Sequence, residues 1–179
     1  PSLVYFCNPN NPTGNLISTE YIKYLLENYT ETLFLIDEAY FEFTGITARN
    51  FIFRSENLLI SRTMSKAFAL ASFRIGYLLS CADNISTISK VRNPKNFTTY
   101  AQVAAKAALS DIAYMQDYVR EVNLAKIQFV DFIMSIKPYL EIFNTNGNFL
   151  LVKVSEHTDK KCLIAHLEAN NIFVRDFVH

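Results

Sequence analysis

Lys66 closes the segment Ser61-Arg62-Thr63-Met64-Ser65-Lys66, which directly follows the apolar run Leu58-Leu59-Ile60. A lysine at the exit of a buried strand can be desolvated and held near neutrality, the form that attacks a carbonyl to make a Schiff base. Eight residues further on, Arg74 precedes the strand-like run Ile75 to Leu79 and offers a forked donor for a phosphate. A nucleophilic lysine beside a phosphate clamp is what a pyridoxal 5'-phosphate (PLP) site requires.

Two more polar loops follow apolar runs: Asn8-Pro9-Asn10-Asn11-Pro12-Thr13-Gly14 and Asp37-Glu38-Ala39-Tyr40. Each residue also has a plain structural explanation when taken alone. Asn-Pro and Thr-Gly dipeptides make turns without a ligand. Asp37 fits a helix N-cap or a solvated acid, Tyr40 a core ring and Lys66 a surface lysine. Arg74 fits a charge that neutralises a helix C-terminus. Their order and joint placement favour a shared site, because ligands of open parallel sheets bind beyond the carboxyl ends of the strands.

The elements needed to position these loops are legible. Leu3 to Cys7, Leu33 to Ile36, Leu58 to Ile60 and Ile75 to Ser80 are too short for buried helices and predict strands covered on both faces. Ser18 to Tyr29 predicts a helix with Ser18 or Thr19 as cap and Ile22, Leu25 and Leu26 as its apolar stripe. Strand, turn, helix, strand is the pattern of a parallel α/β sheet. The second half predicts an alanine-rich helix over Thr98 to Ser110 and one long helix over Ile112 to Ile136, ended by Lys137-Pro138. Beyond it, Leu140 to Phe143 and Phe149 to Val154 predict a strand pair across the turn Asn144-Thr145-Asn146-Gly147. A helix over Lys160 to Asn170 and a strand over Ile172 to Val174 follow. The expected division is residues 1–118, the C-terminal portion of a large α/β domain, and residues 119–179, part of a small α+β domain.

Composition narrows the function classes. The 179 residues are 50% hydrophobic and carry 17 basic and 17 acidic side chains, so there is no electrostatic footprint for nucleic acid or an anionic membrane. The longest apolar runs are far shorter than a membrane span. Cys7, Cys81 and Cys162 are odd in number and scattered, which predicts reduced thiols of a cytoplasmic protein and no metal site. Gly14 and Gly76 form no glycine-rich phosphate loop, which removes a nucleotide-binding reading. Both chain ends run directly out of strand-like segments, so a fragment of a longer fold is expected.

The three motifs, Asn8 to Gly14, Asp37 to Tyr40 and Ser61 to Gly76, together resemble fold-type I PLP-dependent aminotransferases of class I/II, most closely the histidinol-phosphate aminotransferase branch. The resemblance implies that Lys66 holds PLP as a Schiff base and then shuttles the substrate proton. It implies that Asp37 keeps the pyridine nitrogen protonated, and that Asn11 and Tyr40 bond the ring's phenolic oxygen. Thr63, Ser65 and Arg74 would hold the phosphate, and Gly76 would let the backbone pass close beneath the site. Asn11 and Arg175 would contact substrate, Arg175 at its phosphate end; alternatively Arg175 is an edge arginine paired with Asp176 or solvent. The Arg92 to Thr98 loop falls where this family reaches across a homodimer interface.

The sequence also departs from the family pattern. Ser72 stands where glycine is usual in that branch. The upstream phosphate-binding turn, the ring-stacking aromatic and the C-terminal arginine that binds the substrate's acidic group lie outside these residues. The expected function is amino transfer between a small-molecule donor and a phosphorylated keto acceptor. The alternatives are a decarboxylase of a phosphorylated amino acid and a non-catalytic PLP-binding remnant.

Overall fold

A computed structural model of the chain describes residues 1–94, 97–136, 139–143 and 146–177. Val4, Tyr5 and Phe6 favour a pleated backbone and form strand β1 (Leu3–Cys7). The Asn8 amide still reaches the Asp37 carbonyl at 2.8 Å, but Pro9 has no amide hydrogen with which to continue. Helix α1 (Thr19–Asn28) starts at Ser18, whose hydroxyl accepts the Tyr21 N–H. Strands β2 (Leu33–Asp37) and β3 (Leu58–Thr63) add in parallel beside β1, in the order of the sequence.

The fourth run behaves differently from the expectation. Strand β4 (Gly76–Leu79) pairs with β3 antiparallel, with Thr63 opposite Gly76 and Ile60 opposite Leu79. The link from β3 to β4 contains one short 3-10 turn and no crossover helix of the kind a parallel return needs. The fold is thus α/β with a mostly parallel sheet. A Cβ on Gly76 would lie 2.8 Å from the Arg62 carbonyl oxygen, so glycine there serves the tight β3–β4 approach.

Strand alternation sorts the two faces of the sheet. Val4, Phe6, Phe34, Ile36, Leu58 and Ile60 pack against Ile22 and Leu26 of α1, with Ala48 and Ile52 completing this core. Full burial of each such aliphatic chain contributes roughly 1.5–3 kcal/mol. The opposite face carries Tyr5, Cys7, Leu35 and Asp37 in two registered rows. The expectation of strands covered on both faces fails at the sheet edges, where Leu3, Tyr5, Tyr77 and Leu78 are exposed.

Short helix α2 (Phe41–Thr44) follows β2 and ends at Gly45, whose φ of 72° is the left-handed closure a glycine adopts freely. Helix α3 (Ala82–Val91) is an element the sequence did not announce. Helices α4 (Thr99–Ser110, capped by Thr98) and α5 (Ile112–Ser135, capped by Asp111) match the expected pair. Met64 and Ile75 of the β3–β4 link pack on Ala101 of α4, while Val119 of α5 joins Tyr40, Phe43 and Ala67. The boundary proposed near residue 118 falls within α5, which runs unbroken across it.

Strands β5 (Leu140–Ile142) and β6 (Val152–Val154) pair antiparallel as expected, although Phe149 lies ahead of β6 rather than in it. Helix α6 (Lys160–Ala169) is capped by Asp159. No strand forms over Ile172 to Val174: the chain there is irregular and exposed, with no partner strand to pair with among the described residues. The predicted stop at Lys137-Pro138 and the first half of the Asn144 to Gly147 turn lie outside the described residues, as do Lys95 and Asn96 of the Arg92 to Thr98 loop.

Candidate functional site

The first loop is pinned at its ends. Asn8 is fully buried, and its side chain accepts the Ile17 N–H at 2.8 Å while donating to the Ile17 carbonyl at 3.2 Å. Gly14, at φ 69°, turns the backbone so that its N–H reaches the Asn10 carbonyl at 2.7 Å. The loop so closed presents Asn11, whose amide donates to the Tyr40 hydroxyl at 2.7 Å. The Tyr40 O–H proton and the second Asn11 N–H remain available to an acceptor between them.

Tyr40 is buried, with Phe149 edge-on at 5.0 Å and the Lys66 Nζ 5.5 Å from its ring centroid. Lys66 itself is half-buried, between Met64, packed toward α4, and Ala67, packed on Tyr40. Asp37 ends β2 beside Cys7 and Ser61, its registered neighbours. One carboxylate oxygen accepts the Ala39 N–H at 3.1 Å and the other accepts the Tyr5 hydroxyl at 3.0 Å.

Thr63 and Ser65 form a compact hydroxyl pair. Their oxygens are 2.9 Å apart, and the Ser65 N–H donates to Thr63 Oγ1 at 3.1 Å. Arg74 joins this corner through its neighbour Ile75, whose carbonyl accepts from Met64 N–H. Its backbone is left-handed at φ 56°, a strained state for a residue with a Cβ, and its exposed guanidinium donates to the Ala71 carbonyl at 3.2 Å. The structure therefore brings Asn11, Tyr40 and Lys66 into one cluster, and places Asp37, Thr63 and Ser65 at the carboxyl ends of adjacent strands. Arg175 stays apart: its guanidinium lies 5.2 Å from the Phe177 ring, and Asp176 pairs with Lys160 instead.

Several participants went unnoticed in the sequence. Glu38 is buried and receives Arg62 through two bonds of 2.8 and 3.0 Å, with Thr47 and the Ala48 N–H completing its shell. Arg62 also lies 3.6 Å over the Phe41 ring. This buried pair ties the end of β2 to the end of β3, one residue from Asp37 and from Thr63. Phe149 and Asn146, whose amide reaches the Gly14 carbonyl at 2.7 Å, bring the segment before β6 onto the same cluster. A charged residue beside Asp37 and an arginine ending an apolar run were the available signals.

Glu42 borders this network with one carboxylate oxygen buried and without a partner among the described residues. Burial holds its carboxyl above the usual range, aided by Glu38 and opposed by a backbone hydrogen bond and Arg62. The folded state thus retains a proton that the unfolded chain releases, so Glu42's contribution is present below the ordinary carboxylate pKa and lost as pH rises through the folded value. Glu42→Gln is expected to stabilise the protein more at pH 8 than at pH 4, measured by urea unfolding. An equal gain at both would contradict the assignment.

Comparisons with known proteins place the chain in a family. A dihydroxyacetone phosphate transaminase of Campylobacter jejuni, Cj1437c, is 45% identical over 179 residues, covering 99% of this chain and 48% of that protein. Among solved structures, the histidinol-phosphate aminotransferase of Clostridium acetobutylicum superposes with a TM-score of 0.87 at 29% identity, covering 97% of this chain and 54% of that one. The L-threonine-O-3-phosphate decarboxylase of Porphyromonas gingivalis gives 0.85 at 25% identity, with 98% and 54% covered. The chain spans about half the length of the curated relatives it matches. A family model described as aminotransferase class I and II matches residues 1–178. With nearly every residue matched, the chain belongs to that PLP-dependent aminotransferase family.

Proposed function

We propose that this chain carries the cofactor lysine and much of the PLP cradle of an aminotransferase that acts on a small phosphorylated substrate. The observation that carries the reading is the Lys66 amine beside the Asn11–Tyr40 pair, with Asp37 ending the strand that leads into Tyr40. The donor set fits the group. Asn11 and Tyr40 each keep a proton for a phenolic oxygen, Asp37 is an acceptor for a ring N–H, and Ser65 and Arg74 retain donors for phosphate.

PLP supplies a carbonyl that captures amines and a protonated ring that accepts electrons. Lys66 would hold the group at that carbonyl, and its amine would move a proton at the substrate's α-carbon. Asp37 would keep a proton on the ring nitrogen. Thr63, Ser65 and Arg74 would anchor the phosphate, while Phe149 and Phe43 flank Tyr40 and keep water from its inner face. We assign Arg175 to the substrate's phosphate end, and the working protein to a homodimer. The names of the Campylobacter, Clostridium and Porphyromonas relatives all specify phosphate esters, which supports the substrate class. No helix is long and apolar enough to cross a membrane among the described residues.

The test is an assay of the protein with amino donors and 2-oxoglutarate. Amino transfer is expected; release of carbon dioxide without it would favour the decarboxylase reading, which the Porphyromonas structure keeps alive. PLP retained without turnover on any donor would indicate the non-catalytic reading. Asp37→Ala is expected to retain some PLP and lose turnover by about 10³-fold, the scale for removing one preorganised electrostatic partner. Unchanged turnover would contradict its role at the ring nitrogen.

A further inference from the structure

Tyr5 occupies a position that the proposed chemistry leaves unexplained. It is an exposed tyrosine on β1, two residues before Cys7 and on the same sheet face as Asp37. Its hydroxyl donates to Asp37 Oδ2 at 3.0 Å and lies 3.2 Å from Cys7 Sγ. A phenol has one proton, so with that proton on the carboxylate the thiol donates to the phenol oxygen. Thiol, phenol and carboxylate then form one chain of hydrogen bonds whose members polarise one another. The other Asp37 oxygen is held by the Ala39 N–H at 3.1 Å, so both oxygens are oriented while each keeps a free lone pair.

We infer that Tyr5 is a positioning residue that holds the Asp37 carboxylate in its orientation toward the cofactor's ring nitrogen. The inference rests on the PLP reading above. By donating to the anion, Tyr5 competes with the ring proton for the carboxylate's charge, which leaves that proton on the ring. Removing the phenol frees Asp37 to rotate and draws the proton toward its oxygen.

The experiment loads the protein with PLP labelled with ¹⁵N in the ring and reads the nitrogen resonance, together with cofactor affinity. In Tyr5→Phe the signal is expected to move toward the unprotonated position, and affinity to fall by about tenfold, the loss of one hydrogen bond to a charged group. Fluorotyrosine at position 5, a stronger donor of nearly the same shape, should move the signal the opposite way. Cys7→Ala, which removes the thiol but leaves the Tyr5 bond to Asp37, should shift it less than Tyr5→Phe. A wild-type signal and affinity in Tyr5→Phe would overturn the inference, as would a larger shift from Cys7→Ala. Unmodified protein that takes up no PLP on Lys66 would overturn the cofactor reading itself, an outcome distinct from a loaded protein indifferent to Tyr5. Should Tyr5→Phe fail to fold, the fluorotyrosine shift decides alone: a reversed or absent shift refutes the role.

Discussion

Lys66→Ala is expected to lower turnover by about 10⁴-fold, the upper range for losing a positioned general acid–base, while the protein stays folded. The structural part of this expectation follows from the surroundings. Met64 and Ala67 on either side of Lys66 are almost fully buried and hold the loop through their own packing. The Lys66 amine enters no ion pair among the described residues, so its removal strands no buried charge. The chemical part follows from its place over the Tyr40 ring, beside the Asn11–Tyr40 pair. Steady-state kinetics and a thermal melt on one sample separate the two. A variant with more than a tenth of the original turnover would show that another amine does the work.

The second large effect concerns stability. Arg62→Ala should destabilise the protein by about 3–5 kcal/mol, because it leaves the Glu38 carboxylate buried and unpaired. Glu38 would keep Thr47 and the Ala48 N–H, but neither carries a compensating charge. The same substitution removes the guanidinium from the Phe41 ring. Replacing both partners, Glu38→Gln with Arg62→Met, should recover much of the loss, since no charge is then left in the interior. Denaturant unfolding of the two single variants and the double variant checks this. A loss below about 1 kcal/mol for Arg62→Ala would mean that water reaches Glu38 easily. Because the pair joins the ends of β2 and β3, the weaker variant should also bind PLP less tightly.

How much of this was legible in the sequence depends on the range of the interaction. Helices α1, α4, α5 and α6 carry their own periodicity and their own caps at Ser18, Thr98, Asp111 and Asp159, so local pattern suffices. Helix α3 was hidden by Asn84, Ser86 and Thr87, which are indifferent helix formers, and it has no side-chain cap bond. Strand direction was not encoded locally: the run before Ser80 reads as a strand either way, and the tight link after Lys66 makes it antiparallel. The segment at Ile172 shows the converse, strand-forming residues with no strand beside them among the described residues.

The candidate site follows the same rule. Lys66, Asp37, Tyr40 and Asn11 could be found because each sits in a motif that ends an apolar run. Tyr5, Arg62 and Phe149 could not, because their significance lies in partners 24 to 109 positions away. Tyr5 acquires a role only once parallel pairing sets Cys7 beside Asp37. Arg175 was placed by resemblance, and its position beside Phe177 leaves its assignment to substrate as a proposal.

The most direct test is to saturate the protein with PLP, reduce it with borohydride and map the labelled peptide. The cofactor is expected on Lys66, in the peptide that contains Thr63 and Ser65. Label on any other lysine, or none after saturation, would contradict the central claim.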